Sequence, residues 1–425
     1  MDILVLGSGG REHAITASLA ASRLVSKLYV APGNGGTGQI AKNISLAIED
    51  PAAVTQKAKE LEVDLLVIGP EAPLVAGVAD AARAAGIAVF GPSAAAARLE
   101  GSKRFAKGFM DRHGLPTAAW GGFQDLESAL GFLATHHAPI VIKADGLAAG
   151  KGVTVAESDA EAAAAVEACF GGRFGAAGSE VVIEERLTGP ECSCLAFTDG
   201  RRLLPMPLAQ DHKRVGEGDT GPNTGGMGVY APVPQISAQT EAAILAIMEG
   251  AVRGLQEEGL DYRGVLYGGF ILTADGPKLL EFNARFGDPE TQVLLPLLQS
   301  DLAELMYLVA TQDTTGLELE WSCEAALSVV LASGGYPGSY QTDKPIAGVV
   351  AAEAIPGVKV YQAGTRLGQD GGLFTAGGRV LDVTALGPDL AEAQKLAYEA
   401  LSYIDFEGIY YRRDIGARAL GGQSG

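Results

Sequence analysis

The run Glu281-Phe282-Asn283-Ala284-Arg285-Phe286-Gly287-Asp288 carries the densest chemistry in this chain. Leu279 and Leu280 precede it, so it starts as a buried strand. Alternate side chains of a strand share one face. Glu281, Asn283 and Arg285 then point one way, with Phe282 and Phe286 opposite. A carboxylate, an amide oxygen and a guanidinium on one face suit a magnesium-bridged polyphosphate. Mg²⁺ takes hard oxygen ligands, only one or two of them from protein. Arginine reads phosphate or carboxylate with a planar fork. The plainer reading is a polar strand edge with a surface ion pair.

Cations stand elsewhere for the same ligand. Lys143 and Lys151 flank the loop Gly146-Leu147-Ala148-Ala149-Gly150-Lys151-Gly152, between the expected strands Pro139–Lys143 and Val153–Ala156. Lys103 stands just ahead of this hairpin unit. A helix end contributes only about 0.3–2 kcal/mol to anion binding, so several phosphate charges call for real cations. Glu184, Glu185 and Glu191 are candidates for a nucleoside's amino group or hydroxyls, or are ordinary surface acids of an acidic chain.

Gly7-Ser8-Gly9-Gly10-Arg11-Glu12-His13 sits at a strand-to-helix turn, where backbone amides can approach an anion. A dinucleotide fingerprint places its third glycine differently, and Ala31-Pro32-Gly33-Asn34 offers no carboxylate for a ribose. The turn reads as a phosphate site for a small substrate, or as a tight turn without a ligand. Asp211-His212-Lys213-Arg214 is a mixed-charge cluster, and Pro222-Asn223-Thr224-Gly225-Gly226-Met227-Gly228 is a second glycine-rich loop. His212 fits a hydrogen-bonded structural role as well as a proton carrier.

The elements that position these residues follow from periodicity. Ile3–Leu6, Lys27–Val30, Asp64–Ile68 and Ile87–Phe90 are apolar strands alternating with helices, which predicts a parallel sheet covered on both sides. Helices are expected over Ser102–His113, Asp159–Cys169, Ala238–Glu258 and Asp389–Ile404. A hairpin is expected around Gly268–Leu280, and the last hundred residues look mostly β.

The length of 425 residues allows about two to four domains, and 47% hydrophobic residues supply ample core. A net charge of -19 would repel nucleic acid and anionic membranes, so neither is an expected partner. The 4 cysteines (Cys169, Cys192, Cys194, Cys323) show no metal-ligand or dithiol spacing, which suits a reduced cytoplasm. The chain opens directly into a strand, without a basic leader before an apolar segment, and no run is long enough to span a bilayer.

With these pieces together, the chain resembles the phosphoribosylamine–glycine ligases (glycinamide ribonucleotide synthetases) of the ATP-grasp superfamily. The resemblance runs from Gly7–His13 to Arg412-Arg413-Asp414. It includes Ile68–Leu74, Ser102–Lys107, Lys143–Gly152, Gln210–Arg214, Gly221–Gly228 and Leu280–Thr291. The Gln-Asp-His-Lys-Arg and Pro-Asn-Thr-Gly-Gly-Met-Gly stretches are the specific ones. The two-lysine loop and Glu-Phe-Asn are shared more widely among ATP-grasp enzymes.

The resemblance implies an α/β multidomain architecture. Its parts are an N-terminal parallel α/β domain (1–101), a central α+β domain (102–122 and 190–325), a small α+β lid (123–189) and a mostly β C-terminal domain (326–425). It implies a cytoplasmic enzyme of de novo purine synthesis that joins glycine to 5-phosphoribosylamine with ATP through glycyl phosphate. A monomer or dimer is expected, with transient contact to the amidotransferase that makes phosphoribosylamine. The chain looks like the stand-alone bacterial form.

The implied sites are as follows. Glu281 and Asn283 hold Mg²⁺ or Mn²⁺. Lys103, Lys143, Gly150, Lys151, Gly152, Glu184, Glu185, Leu187 and Glu191 bind ATP. Gly9, Gly10, Arg11, Asn34, Gly35, Gly36, Thr37, Glu71, Asp211, Lys213, Gly225, Gly226 and Arg285 bind substrate. Arg285, Lys213 and Asn223 take the catalytic roles. Other readings are a related ATP-grasp ligase or carboxylase, differing in the Asp211–Arg214 and Asn223–Gly228 loops, and a nucleotide-binding regulatory protein without turnover. A nicotinamide dehydrogenase is more distant.

Overall fold

The computed structural model describes residues 1–146, 152–173 and 175–421. Five parallel strands form the N-terminal sheet in the order Lys42–Asn43, Lys27–Pro32, Asp2–Gly7, Leu65–Ile68, Ala88–Phe90. Ile3 to Leu6 are wholly buried, as a strand covered on both faces requires. The order reverses between the first strand and Leu65–Ile68, so the turn after Gly7 opens at a topological switch point. Such crevices are where open α/β sheets bind ligands.

The lid is a four-stranded antiparallel sheet, ordered Trp120–Phe123, Val181–Glu185, Ile140–Ala144, Val153–Ala156. Helices Leu126–Leu133 and Asp159–Ala168 complete it, and it has its own small core around Ala129, Ile142, Val166 and Ile183. The Trp120–Phe123 strand was not anticipated, because Trp-Gly-Gly-Phe lacks an apolar run. Pairing with Val181–Glu185 makes it a strand, so the lid sheet begins ahead of residue 123.

The central sheet is antiparallel, ordered Leu203–Pro205, Glu191–Thr198, Gly264–Thr273, Gly276–Asn283, and helix Ala238–Glu257 packs on it. A β-bulge falls at Leu280: Gly269 pairs with Glu281 while Phe270 pairs with Leu279. A bulge re-aims the side chains that follow it. Nothing in the local sequence announces this one.

The C-terminal sheet has six strands. Gln210–Asp211, Gly228–Ala231, Ala325–Ser333, Arg379–Gly387 and Val358–Gln362 run in that order, with Ile409–Tyr410 beside Ala325–Ser333. Every residue of Ala325–Ser333 is buried, so its backbone needs a partner on each edge. Gly228–Ala231 supplies one, and the sheet therefore crosses the boundary expected at residue 326. Helix Leu390–Leu401 covers it, as the sequence suggests. No described helix is long and apolar enough to cross a membrane.

Candidate active site

The strand Gly276–Asn283 carries the centre. Phe282 is 2% exposed, while Glu281, Asn283 and Arg285 are half-buried on the other side. Phe282 packs edge-on against Phe109, and Phe286 stacks on Phe90. These two aromatic anchors hold the polar residues on the opposite face. Among the described residues Glu281 makes no ion pair, yet it lies in the field of four cations. Burial pushes its carboxyl up, but Lys213, Lys143, Lys103 and Arg285 together hold it below the ordinary value. Asn283 Oδ1 stands beside it and accepts from Arg285 Nη2 at 3.3 Å.

These donors fit a divalent ion. An ionised carboxylate without a salt bridge and an amide oxygen are hard ligands, two in number, as for an ion completed by phosphate and water. Among the described residues no group of three His, Cys, Asp or Glu side chains could hold a metal unaided.

The lysines come from three elements. Lys103 opens helix Lys103–Arg112 and donates to the Gly146 carbonyl at 2.9 Å. Burial lowers its pKa, with Glu281 and Asp145 opposing. Lys143, in the lid strand Ile140–Ala144, is 7% exposed and reaches the carbonyl of the bulge residue Leu280 at 3.5 Å. Its Nζ also lies 2.8 Å from Glu184 Oε1, while Lys107 Nζ lies 2.8 Å from Glu184 Oε2.

This arrangement gives Glu184 two cationic partners. At 2% exposed, with both oxygens facing lysines, it bridges two cations. Lys107 was missed; burial lowers its pKa to about 8, with Glu184 opposing and Lys143 adding. Its signal was present: a lysine four residues after Lys103 shares one helix face with it. Glu185 is exposed, accepts from the Ala119 amide at 3.0 Å and lies 3.6 Å from Lys278. Leu187 is half-buried beyond the lid strand. Gly150 and Lys151 lie outside the described residues. Gly152 leads into the strand Val153–Ala156, and its carbonyl accepts from the Ala144 amide at 2.8 Å.

Glu191 pairs with Lys213 at 3.0 Å, so these two expected site residues do meet. Burial would lower Lys213, but Glu191, Asp211, Tyr267 and Glu281 hold it well above its ordinary value. Burial pushes Asp211 up, with Lys213 opposing and Glu290 adding. Beneath them lies a buried polar cluster that sequence reasoning missed. Ser193 Oγ and Tyr267 Oη donate to Glu290 Oε1 at 3.0 and 3.2 Å. Glu290 was legible only as the end of the Leu280–Thr291 segment. Asn223 is half-buried and pairs with Arg214, and Thr224 donates to the Lys213 carbonyl through its amide at 2.7 Å. Gly225 is exposed and Gly226 buried against Pro289. His212 is 4% exposed, with a pKa lowered by burial to about 4, so it is structural and neutral.

At the N-terminal turn the chain supplies a carboxylate of its own. Glu12 accepts the Gly9 amide at 2.6 Å and pairs with Arg11 Nε at 2.6 Å. One of the turn's anion-binding amides is thus already used by a carboxylate of the chain itself. Gly10 lies against Asp382 and Gln292. Arg11 still reaches the centre: its Nη1 donates to the Phe286 carbonyl at 3.1 Å, and Arg285 Nη1 donates to the same oxygen at 3.0 Å. Arg285 also meets Glu100 at 2.8 Å and Glu71 at 3.4 Å. Arg285 and Arg11 hold Glu71 below the usual carboxylate range although burial opposes them.

The segment Asn34–Thr37 is bonded tightly within the chain. Asn34 Nδ2 donates to the Gln362 carbonyl at 2.6 Å, and its Oδ1 accepts from Gly36 and Thr37 amides at 2.9 and 3.0 Å. Gly35 packs on Thr365, and Gly36 lies under the His13 ring. All four residues are buried. They join the N-terminal sheet to the C-terminal domain, and their side-chain capacity is already used.

Comparison with known proteins follows this geometry. The phosphoribosylglycinamide synthetase family matches in three parts: its N domain over residues 1–100, its ATP-grasp (A) domain over 101–291 and its C domain over 326–418. A phosphoribosylamine–glycine ligase of Rhizobium meliloti (strain 1021) is 52% identical over 99% of this chain and 99% of its own. The trifunctional purine biosynthetic protein adenosine-3 of Homo sapiens is 50% identical over 98% of this chain and 42% of its own. The crystal structure of a phosphoribosylamine–glycine ligase from Thermotoga maritima superposes with a TM-score of 0.85 at 34% identity, covering 98% of this chain and 100% of that one. Three matched domains in order place this chain in the phosphoribosylglycinamide synthetase family.

Proposed function

We propose that this protein is an ATP-dependent ligase of purine biosynthesis that joins glycine to 5-phosphoribosylamine, giving glycinamide ribonucleotide, ADP and phosphate. The observation that carries the reading is the Glu281–Asn283–Arg285 face turned toward Lys103, Lys143 and Lys213. The relatives at about half identity over the full chain support the same substrates.

A glycine carboxylate oxygen attacks the γ-phosphorus of ATP, and ADP leaves. The phosphoribosylamine nitrogen then attacks the acyl carbon, and phosphate leaves as the nitrogen loses its proton. Positioning and charge neutralisation do most of the work in phosphoryl transfer. A divalent ion, Mg²⁺ or Mn²⁺, held by Glu281 and Asn283 supplies charge neutralisation along the triphosphate. Lys103 and Lys143 take the α/β-phosphate charge, and Gly150-Lys151-Gly152 covers the nucleotide. Glu184, paired with Lys143, lies with Glu185 and Leu187 at the adenine, and Glu191 exchanges Lys213 for the ribose. Arg285 stabilises the moving phosphoryl group or the glycine carboxylate. Gly9, Gly10, Arg11, Asn34, Gly35, Gly36, Thr37 and Glu71 take phosphoribosylamine from one side. Asp211, Lys213, Asn223, Gly225 and Gly226 take it from the other. Lid closure excludes water from the labile acyl phosphate.

The four-part division 1–101, 102–122 with 190–325, 123–189 and 326–425 belongs to this reading, with Trp120–Phe123 paired into the lid sheet and Gly228–Ala231 into the C-terminal one. So do a cytoplasmic monomer or dimer and a transient contact with the amidotransferase that supplies phosphoribosylamine. The test is ADP release with glycine and freshly generated phosphoribosylamine, each omitted in turn. Turnover that needs both supports the reading; turnover driven by bicarbonate without glycine overturns it.

A further inference from the structure

None of the residues assigned above to ATP, metal or substrate lies within 326–418, the matched C domain, although Asp211 sits in a strand of its sheet. The loop that carries Lys213, Asn223, Gly225 and Gly226 is nevertheless held there at both ends. At its outer end stands Arg412, 1% exposed. Its Nη1 donates to the Arg214 carbonyl at 3.0 Å and to Asp219 Oδ1 at 2.7 Å. Its Nε and Nη2 grip Asp414 at 2.8 and 2.7 Å, and Asp414 Oδ2 accepts the Gly218 amide at 2.8 Å. Tyr410 Oη donates to the Val215 carbonyl at 2.8 Å.

At the inner end stands Arg379. Its Nη1 donates to the Gly225 carbonyl at 2.7 Å and to the Asp288 carbonyl at 3.0 Å, and its Nη2 pairs with Asp288 Oδ2 at 3.2 Å. Tyr336 Oη accepts the Gly225 amide at 3.1 Å. Between the two arginines the loop closes on itself, since Thr224 binds the Lys213 carbonyl through its amide and its hydroxyl.

We propose that Arg412 and Arg379 are positioning residues that set the substrate loop, and with it Lys213, against the Glu281–Asn283 strand. The strands Gln210–Asp211 and Gly228–Ala231 anchor the loop's stem, and the position of the segment between them depends on what grips it beyond that stem. Two planar guanidiniums, each spanning two or more acceptors, fix both distance and direction. A lysine at either position keeps the charge but loses the fork. The C-terminal domain therefore acts on the reaction without touching substrate. This inference rests on the loop's assignment to substrate in the proposed function.

The test compares Arg412→Lys, Arg379→Lys and Lys213→Ala in the full chain. The readouts are KM and kcat for freshly generated phosphoribosylamine, Mg-ADP affinity by calorimetry and thermal midpoint. The expected result is a KM raised about tenfold or more in both arginine variants, the scale of one charged hydrogen bond lost. Mg-ADP affinity, which Lys213 influences only through Glu281 and Glu191, changes by a smaller factor than that KM. Lys213→Ala impaired with both arginine variants unaffected overturns the inference alone. All three unaffected overturns the loop's assignment and the inference with it. Equal losses of Mg-ADP affinity and phosphoribosylamine use, with a lowered midpoint, mark a merely structural role and also overturn it.

Discussion

Arg11 and Arg285 donate to one oxygen, the carbonyl of Phe286, at 3.1 and 3.0 Å. The first comes from the helix after the N-terminal glycine turn, the second from just beyond the strand that presents Glu281 and Asn283. A single carbonyl thus registers the N-terminal sheet against the proposed metal strand. Arg11→Ala is expected to raise KM for phosphoribosylamine well above any change in KM for ATP. Initial rates with each substrate varied in turn check this, and equal losses for both would count against a sugar-phosphate role.

Glu281→Ala should lower turnover by at least about 10²–10³-fold, the loss seen when one preorganised charge-stabilising group is removed. ADP release at saturating Mg²⁺ measures it, alongside a thermal melt to show that the fold persists. Near-normal rates would remove the metal role.

Two glycines should answer alanine in opposite directions. A Cβ at Gly69 would stand 2.7 Å from the Leu6 carbonyl and 2.1 Å from Glu12 Oε1. Backbone cannot yield there, so Gly69→Ala should cost about 1–3 kcal/mol. Gly131, in the helix Leu126–Leu133, has open space around it. Gly131→Ala should therefore add about 0.5–1 kcal/mol. Urea denaturation of both variants decides; a stabilised Gly69→Ala would contradict the packing around Glu12.

Burial, with Lys359 adding, lowers the His13 pKa to about 4, and its Nδ1 accepts the Gln362 amide at 2.7 Å. Burial, with Arg412 adding, lowers His212 to about 4 as well. Both are neutral when folded near neutral pH, while the unfolded chain protonates them near pH 6.5. Between about pH 6.5 and 4 the unfolded state binds more protons, so stability falls as pH falls. Each histidine should account for about 3 kcal/mol of that loss, which levels off below their folded values. Denaturation curves from pH 7 to 4 should be flatter for His13→Gln and His212→Gln than for the wild type. Identical slopes would show that neither histidine is buried neutral.

Much of the site could be read along the chain because its signals are local. Alternation on a strand set Glu281, Asn283 and Arg285 against Phe282 and Phe286, and the burial pattern agrees. Apolar runs separated by glycine turns marked the parallel sheet and its first turn for the same reason.

What could not be read depends on partners far away in sequence. Glu184 and Asn34 have the composition of ligand-binding residues. Lys107 and Lys143 occupy the first, and Gln362 with a local turn occupies the second. Gly9's amide looks open to an anion until Glu12 folds back to take it. The bulge at Leu280 and the strand Trp120–Phe123 exist only through their neighbours across the sheet. Residue type and spacing decide which groups are able to bind. Whether each remains free to do so is decided by folding, because a buried polar group must find a partner, and the nearest one in space is seldom the nearest in the chain.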